Sequence, residues 1–125
     1  MAWTLDARLP LVIVGDAAAL SAALAAGRKA AVLAEAPPPP LPAEAAALAS
    51  FDLSVPSHAG ACACCGGRSP AAAALDRLFQ ARVRGACPWF ERVVALAETP
   101  AAREAVADAL AGDAVTAARF RLAPP

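Results

Sequence analysis

The 125-residue sequence has no excess of charge of either sign. Eleven Lys and Arg residues balance eleven Asp and Glu residues, no basic run is present, and Lys29 is the only lysine. Nucleic acids and anionic membranes bind proteins through clustered positive charge, so neither is an expected partner. The composition instead favours a small molecule, a metal or another protein as ligand.

Long apolar runs are also missing. Asp6 and Arg8 precede the apolar stretch 9–14, which is too short for a secretory signal core or a membrane span. We therefore expect a cytoplasmic protein with no membrane partner. Thiols stay reduced in the cytoplasm, so clustered cysteines there indicate metal ligands or redox groups before structural disulfides.

Large apolar side chains are few, although 59% of the residues are hydrophobic. Much of that fraction is alanine, which favours helices and buries little area per residue. The length and composition predict a single domain over 1–125. Its core must depend on a small number of Leu, Val, Phe and Trp side chains.

The first half of the sequence predicts a βαβ unit. A β-branched run at 9–14 is followed by a helical alanine and leucine stretch at 17–27 and by a second apolar run at 30–34. A proline-rich surface segment at 36–42 then acts as a spacer. We expect a short helix over 42–50 and a third strand over 51–55.

The second half continues the alternation. Ser69 and Pro70 favour the start of a helix that ends near Gly85, residues 89–96 form a fourth strand, and Thr99 with Pro100 begins a last helix. The pattern predicts an α/β three-layer sandwich with a small, mostly parallel sheet of about four strands. Ligands of such folds bind beyond the carboxyl ends of the strands.

The segment SHAGACACCGGRSP, residues 57–70, contains three of the four cysteines. Cys62, Cys64 and Cys65 precede a Gly-Gly turn that lets the chain curl, so their sulfurs can converge on one ion. Thiolates are soft donors that suit Zn²⁺ or Cu⁺, and three of them leave a fourth position open. Such an incomplete shell suits metal transfer better than a permanent structural site.

Two residues are candidates for the fourth ligand. His58 lies four residues before the first of the clustered cysteines, and Glu35 ends the second strand. A solvated histidine and a surface carboxylate are the alternative interpretations. The three clustered cysteines have alternatives too, as buried packing residues or as a redox switch. Cys87 stands alone before a proline, which favours a loop or packing role.

The cysteines and the text that follows them resemble the CobW-type GTPases, a metallochaperone branch of the P-loop GTPases that typically carries GCxCC and a strand ending in an E-T-T-G-type motif. The matching text is ACACC at 61–65, then LDRLFQARVRG, then WFERVVALAETPAAREAVADAL. Upstream, LPLVIVG and AAVLAE match the first two strands, and Glu35 falls on the family's glutamate. The resemblance implies a P-loop NTPase-like half domain in which the clustered cysteines and Glu35 handle zinc, or cobalt.

The sequence departs from that family at the nucleotide site. No glycine occurs between Gly15 and Gly27, Leu20 and Ser21 stand where a Walker A motif has Gly-Lys, and Asp16 would repel phosphate. The text ETPA at 98–101 replaces the second threonine and the glycine of the family motif. We therefore expect no bound nucleotide and no GTPase catalysis.

Two functions follow from these observations. The first is a non-catalytic module that binds zinc through the CxCC segment and passes it to, or senses it for, a protein partner. The alternative is a pseudo-GTPase interaction subunit that pairs with a homologue, another protein or itself, with vestigial cysteines. Residual nucleotide hydrolysis is a third and weaker hypothesis.

Overall fold

A computed structural model describes residues 6–54 and 68–123. Strands and helices alternate along these residues. They are β1 (Leu9–Val14), α1 (Ala17–Ala25), β2 (Ala30–Glu35), β3 (Ala45–Phe51), α2 (Pro70–Arg84), β4 (Arg92–Leu96), α3 (Pro100–Gly112), α4 (Ala114–Arg119) and β5 (Phe120–Leu122).

The strands form one sheet in the order β3-β2-β4-β1-β5, and every pairing is parallel. β4 lies between β1 and β2, so that Val94 is opposite both Val12 and Val32. α1 packs on one face of the sheet, and α2 and α3 pack on the other. The described residues therefore form the predicted α/β three-layer sandwich, with a sheet that is entirely parallel.

The two central strands are buried on both faces. Residues 30–34 of β2 and 93–96 of β4 each expose at most 5% of their surface. Near-continuous apolar runs of this kind are typical of parallel strands covered by helices on both sides. On the α1 face, Leu20 and Leu24 pack over Val32 and Val94. The opposite face holds the larger side chains, among them Leu75, Phe90, Val106 and Phe120.

Each helix begins at a side-chain cap. Asp16, Ser69, Thr99 and Asp113 each accept a hydrogen bond from the backbone N–H three residues later. Such caps satisfy N–H groups that the helix itself leaves unpaired. α2 ends at Gly85, whose φ of +69° is a left-handed conformation that favours glycine. The predicted starts of α2 and α3 and the predicted end of α2 are confirmed.

Two predicted elements are wrong. Residues 42–50 were predicted to form a helix because alanine favours helices, but Ala45–Phe51 form β3. Pairing with β2 and contact with α2 bury Ala45, Ala46 and Ala49, and this tertiary packing outweighs the local preference. The third strand therefore ends at Phe51 instead of starting there. With β5 added, the sheet of the described residues has five strands, more than the four or so predicted.

β4 is shorter than the predicted strand 89–96. It begins at Arg92, because Phe90 turns fully into the core while Trp89 stays 58% exposed. Arg92 caps the C-terminal end of α1. Its guanidinium donates to the carbonyl oxygens of Ala23, Ala26 and Arg28, at 2.8, 2.7 and 2.6 Å. Carbonyls at a helix end have no partner within the helix, so this arginine supplies the missing donors.

The connection between β2 and β3 contains no helix. The strands are parallel neighbours, and only residues 36–44 join them. A parallel connection usually needs a dozen or more residues. The segment includes Pro37–Pro40 and Pro42, and proline favours an extended backbone of about 3.1 Å per residue, so nine residues can run back along a six-residue strand. The prediction of an extended proline-rich connection is consistent with this short link.

Candidate functional site

The residues predicted to bind metal fall into two groups. Glu35 is the last residue of β2, half-buried at the carboxyl end of the strand, as predicted. His58, Cys62, Cys64 and Cys65 lie outside the described residues. Their role stays a prediction, and the structure locates only the two points where the chain enters and leaves segment 55–67.

Glu35 lies beside the start of α3. The Thr99 hydroxyl accepts the N–H of Ala102 as a helix cap and donates to Glu35 Oε1 at 3.4 Å. This is a long hydrogen bond, which holds the carboxylate weakly. Among the described residues Glu35 makes no ion pair, so its negative charge is not neutralised there.

A carboxylate follows each of the first four strands. Asp16 comes two residues after β1, Glu35 ends β2, Asp52 comes directly after β3 and Glu98 comes two residues after β4. All strands are parallel, so these four residues lie along the same edge, which we call the carboxyl edge. None of the four forms a salt bridge within the part of the chain that the structure describes.

Two arginines at this edge offset part of its negative charge, but neither forms a salt bridge with the four carboxylates. Arg77 donates to the carbonyl oxygen of Ser50 at 2.6 Å, and Arg103 donates to that of Ala97 at 3.2 Å. Asp52 is held by its own neighbour, because the N–H and hydroxyl of Ser54 donate to it at 2.9 and 2.6 Å. These hydrogen bonds lower the pKa of Asp52 and keep it charged. The four carboxylates outnumber these two arginines, so the described part of the carboxyl edge has an excess of negative charge, which favours cations over anions.

The turn between β1 and α1 differs from a phosphate-binding loop. Only Gly15 and Asp16 join the two elements, and the Asp16 carboxylate accepts the N–H of Ala19 at 2.7 Å. A Walker A loop is longer and directs several backbone N–H groups at phosphate. Here a carboxylate of the chain itself occupies the anion-binding position at the helix N-terminus.

The carboxylates do not converge into a finished metal site. Within residues 6–54 and 68–123, no three His, Cys, Asp or Glu side chains lie close enough together to hold a metal ion. Segment 55–67 begins at this edge, however. Ser54 is the last described residue before the segment, and it lies three residues after Phe51. Phe51 is paired with Glu35 in the neighbouring strand. The backbone N–H of Ala36 also donates to the carbonyl oxygen of Phe51 at 2.8 Å.

Arg68 fixes the other end of the segment. Its guanidinium forms two hydrogen bonds with the Asp113 carboxylate, at 3.0 and 3.2 Å, and a third with Thr116 Oγ1 at 3.3 Å. The hydrogen bonds from Arg68 lower the pKa of Asp113, and the carboxylate in turn raises the pKa of Arg68. The residue that follows the cysteine segment is thereby tied to the start of α4.

Cys87 lies in the loop between α2 and β4, half-buried, and packs against the core. The predicted loop and packing role is confirmed. Two features were missed. The repeated carboxylate after each strand is visible in the sequence as GD, AE, FD and AE, but it has meaning only once the strands are known to be parallel. The contact between Arg82 and Trp89 joins an α2 residue to the following loop, and no periodic pattern predicts it.

No protein-family model, curated protein or solved structure matches the chain. Among the residues that the structure describes, no helix combines the length and the apolar character needed to cross a membrane.

Proposed function

We propose that this chain is a non-catalytic metal-binding module, which binds zinc through Cys62, Cys64 and Cys65 for transfer to, or sensing by, a protein partner. The observation that supports it best is the row of four carboxylates at the carboxyl edge, where the cysteine segment begins, none of which has a salt-bridge partner among the described residues. A site at this edge favours a cation over a phosphate.

Glu35 is the described residue best placed to contribute. Its strand partner Phe51 lies three residues before Ser54, the last described residue ahead of the segment. Among the described residues, the one hydrogen-bond donor to its carboxylate is the Thr99 hydroxyl, at 3.4 Å. A carboxylate held this weakly can turn towards an ion. We propose Glu35 or His58 as the fourth ligand beside the three thiolates.

Nucleotide binding is not part of the proposal. Asp16 places a carboxylate at the N-terminus of α1, where it would repel a phosphate, and the two-residue turn is shorter than a Walker A loop. The resemblance to CobW-type proteins supports the binding of a metal ion, and the proposal does not include their GTPase activity. Cobalt and copper remain candidates for the ion, because soft thiolate ligands accept several transition metals.

A zinc titration of the reduced protein tests the proposal. We expect one zinc per chain, proton release on binding, and weaker binding as the solution is acidified, because thiolates must be deprotonated to bind. Cys64→Ser and Cys65→Ser should each weaken zinc binding at least tenfold. Cys87→Ser is the matched control and should change it less than twofold. Wild-type affinity in all of Cys62→Ser, Cys64→Ser and Cys65→Ser would refute the proposal.

A second function has its own supporting observation. Between α3 and β5 lies a groove of about 370 Å³ that is lined by Leu110, Phe120 and Leu122, with Arg8 and Arg121 beside it. Leu122 is 57% exposed on a strand that pairs on one side only within the described sheet. Exposed strand edges invite pairing with another chain. The alternative proposal is therefore an interaction subunit that pairs along β5 with a homologue or a second copy.

Sedimentation of the wild-type protein and Leu122→Asp separates the two functions. A wild-type dimer that the variant abolishes, together with no zinc binding, would favour the interaction subunit. A monomer that binds zinc would favour the metal module.

A further inference from the structure

The loop between α2 and β4 presents an exposed aromatic side chain beside cations. Trp89 in this loop is 58% exposed, and Val83 near the end of α2 is 53% exposed. The loop leads into β4, so both lie at the amino edge of the sheet, opposite the carboxyl edge. Most large apolar side chains of the described residues are buried, and Trp89 and Val83 are among the few that are exposed.

Arg82 is held against the indole. Its guanidinium carbon lies 3.4 Å from the centroid of the Trp89 ring and 5.7 Å from that of Phe90. Its Nε donates to the carbonyl oxygen of Phe90 at 2.7 Å. Within the described residues, the two terminal nitrogens of Arg82 have no hydrogen-bond acceptor and no carboxylate within 4.0 Å. The end of the guanidinium that can bind a carboxylate with two parallel hydrogen bonds is therefore available.

Neighbouring cations add to the positive charge of Arg82. Arg84 and Lys29 are exposed and form no salt bridge with the described residues. Lys29 lies close to the loop, because its carbonyl oxygen accepts the N–H of Glu91 at 2.9 Å. Glu91 is the nearby carboxylate, and it is already paired with Arg28 at 3.1 Å.

We propose that Arg82, Val83, Arg84 and Trp89, here called the Arg82–Trp89 patch, bind an acidic peptide segment of a partner protein that also carries an apolar side chain. A carboxylate of the segment pairs with the guanidinium of Arg82, and the apolar side chain packs on the exposed part of the indole. Tryptophan and arginine are the residue types most enriched where a few contacts supply most of the binding energy. Holding Arg82 in place beforehand lowers the entropy cost of binding.

A peptide fits this surface better than a nucleic acid does. Single-stranded nucleic acid needs a basic groove with several aromatic rings for successive bases. Here Trp89 is the one exposed aromatic ring of the described residues, and Arg82 already covers one of its faces. The whole chain also has no net charge. The proposal does not depend on zinc, since the patch contains none of the predicted zinc ligands.

A random library of 12-residue peptides, probed with the metal-free full-length chain, tests the proposal. We expect the enriched peptides to carry at least three acidic residues and one large apolar residue. Synthetic copies of the best peptide should bind Trp89→Ala at least tenfold more weakly than wild type, and Arg82→Lys at least threefold more weakly. Raising the salt from 50 to 500 mM should weaken binding severalfold.

The matched control is Val115→Ala, which removes another exposed apolar side chain, 43% exposed on α4. It should bind the peptide within twofold of wild type. Circular dichroism of each variant tests whether it is folded. If a variant is not folded, Trp89→Phe is used in its place. Neutral or basic enriched peptides, or equal binding by Trp89→Ala and wild type, would overturn the proposal. Tighter binding of a 12-residue oligothymidine than of the best peptide would also overturn it.

Discussion

The two edges of the sheet differ in the charged contacts that their side chains make. At the carboxyl edge, four carboxylates follow four strands and form no salt bridge with the described residues. At the amino edge, arginines satisfy backbone carbonyls and pair with carboxylates, as Arg92 does with the end of α1 and Arg28 with Glu91. The named arginines of the amino edge therefore contact other residues of the fold, whereas the four carboxylates of the carboxyl edge have no salt-bridge partner among the described residues.

The largest expected effect is a loss of stability when the contacts of Arg92 at the amino edge are removed. Arg92→Gln replaces a guanidinium that donates to three carbonyl oxygens with a shorter, neutral amide. Hydrogen bonds to charged groups contribute about 1.5–3 kcal/mol each, so loss of two of the three predicts a decrease of at least about 3 kcal/mol in the free energy of unfolding. Urea denaturation measures it. The control is Arg103→Gln at the carboxyl edge, which loses one such bond, to Ala97 at 3.2 Å, and should cost no more than about 1.5 kcal/mol. Equal losses would contradict a structural role specific to the amino edge.

The Arg68–Asp113 ion pair allows the contribution of a paired carboxylate to the free energy of unfolding to be measured. Asp113→Asn keeps an oxygen for the helix cap but loses the ionic hydrogen bonds, and should cost about 2 kcal/mol at pH 7. Arg68 lowers the pKa of Asp113 in the folded state, so this contribution is complete above about pH 4 and is lost as the pH falls through the lowered value. The difference between wild type and variant should therefore shrink below pH 4. A difference that stays constant down to pH 2.5 would exclude the ion pair as its source.

Zinc affinity should distinguish the edges directly. Glu35→Gln removes a carboxylate of the carboxyl edge and should weaken zinc binding about tenfold, close to 1.4 kcal/mol. Glu44→Gln makes the same chemical change just before β3, at the amino edge, and should alter it less than twofold. Calorimetry of both variants gives the comparison. Similar effects from the two would mean that the position of the charge is unimportant.

The smallest effect is expected for an exposed pair. Arg28 and Glu91 are 77% and 44% exposed at a distance of 3.1 Å, and surface pairs of this kind contribute about 0–1 kcal/mol. Arg28→Gln should therefore change the free energy of unfolding by no more than about 0.5 kcal/mol. A loss above about 1.5 kcal/mol would show that the amino edge depends on its surface ion pairs as well as on its bonds to carbonyls.

The sequence predicted the elements whose local signals agree with their packing. β1 and β2 are apolar runs, and α2 and α3 begin at Ser-Pro and Thr-Pro caps that the structure confirms. β3 was predicted incorrectly because its sequence AAALASF has a helical composition. Only its neighbours β2 and α2 make it a strand, and a single-sequence pattern contains no information about neighbours.

The candidate site was predictable to a similar extent. The position of Glu35 at the end of β2 follows from strand length and is confirmed. The shared edge of Asp16, Asp52 and Glu98 follows from the strand order, which local patterns do not determine. The stack of Arg82 on Trp89 depends on how the loop after α2 folds back, and pairs seven residues apart across a helix end have no sequence signature.

The short link between β2 and β3 also bears on the order in which the sheet assembles. Ala30 pairs with Ala45, fifteen residues later, whereas Ala30 pairs with Arg92 and Leu9 with Phe120 across 62 and 111 residues. Closing a small loop costs less chain entropy than closing a large one, and prolines reduce that cost further. We expect the β2–β3 pair to form first during folding. In the described sheet β1 pairs with β4 and β5, so its pairing waits for residues 92 and later, and we expect β1 to join the sheet after the β2–β3 pair has formed.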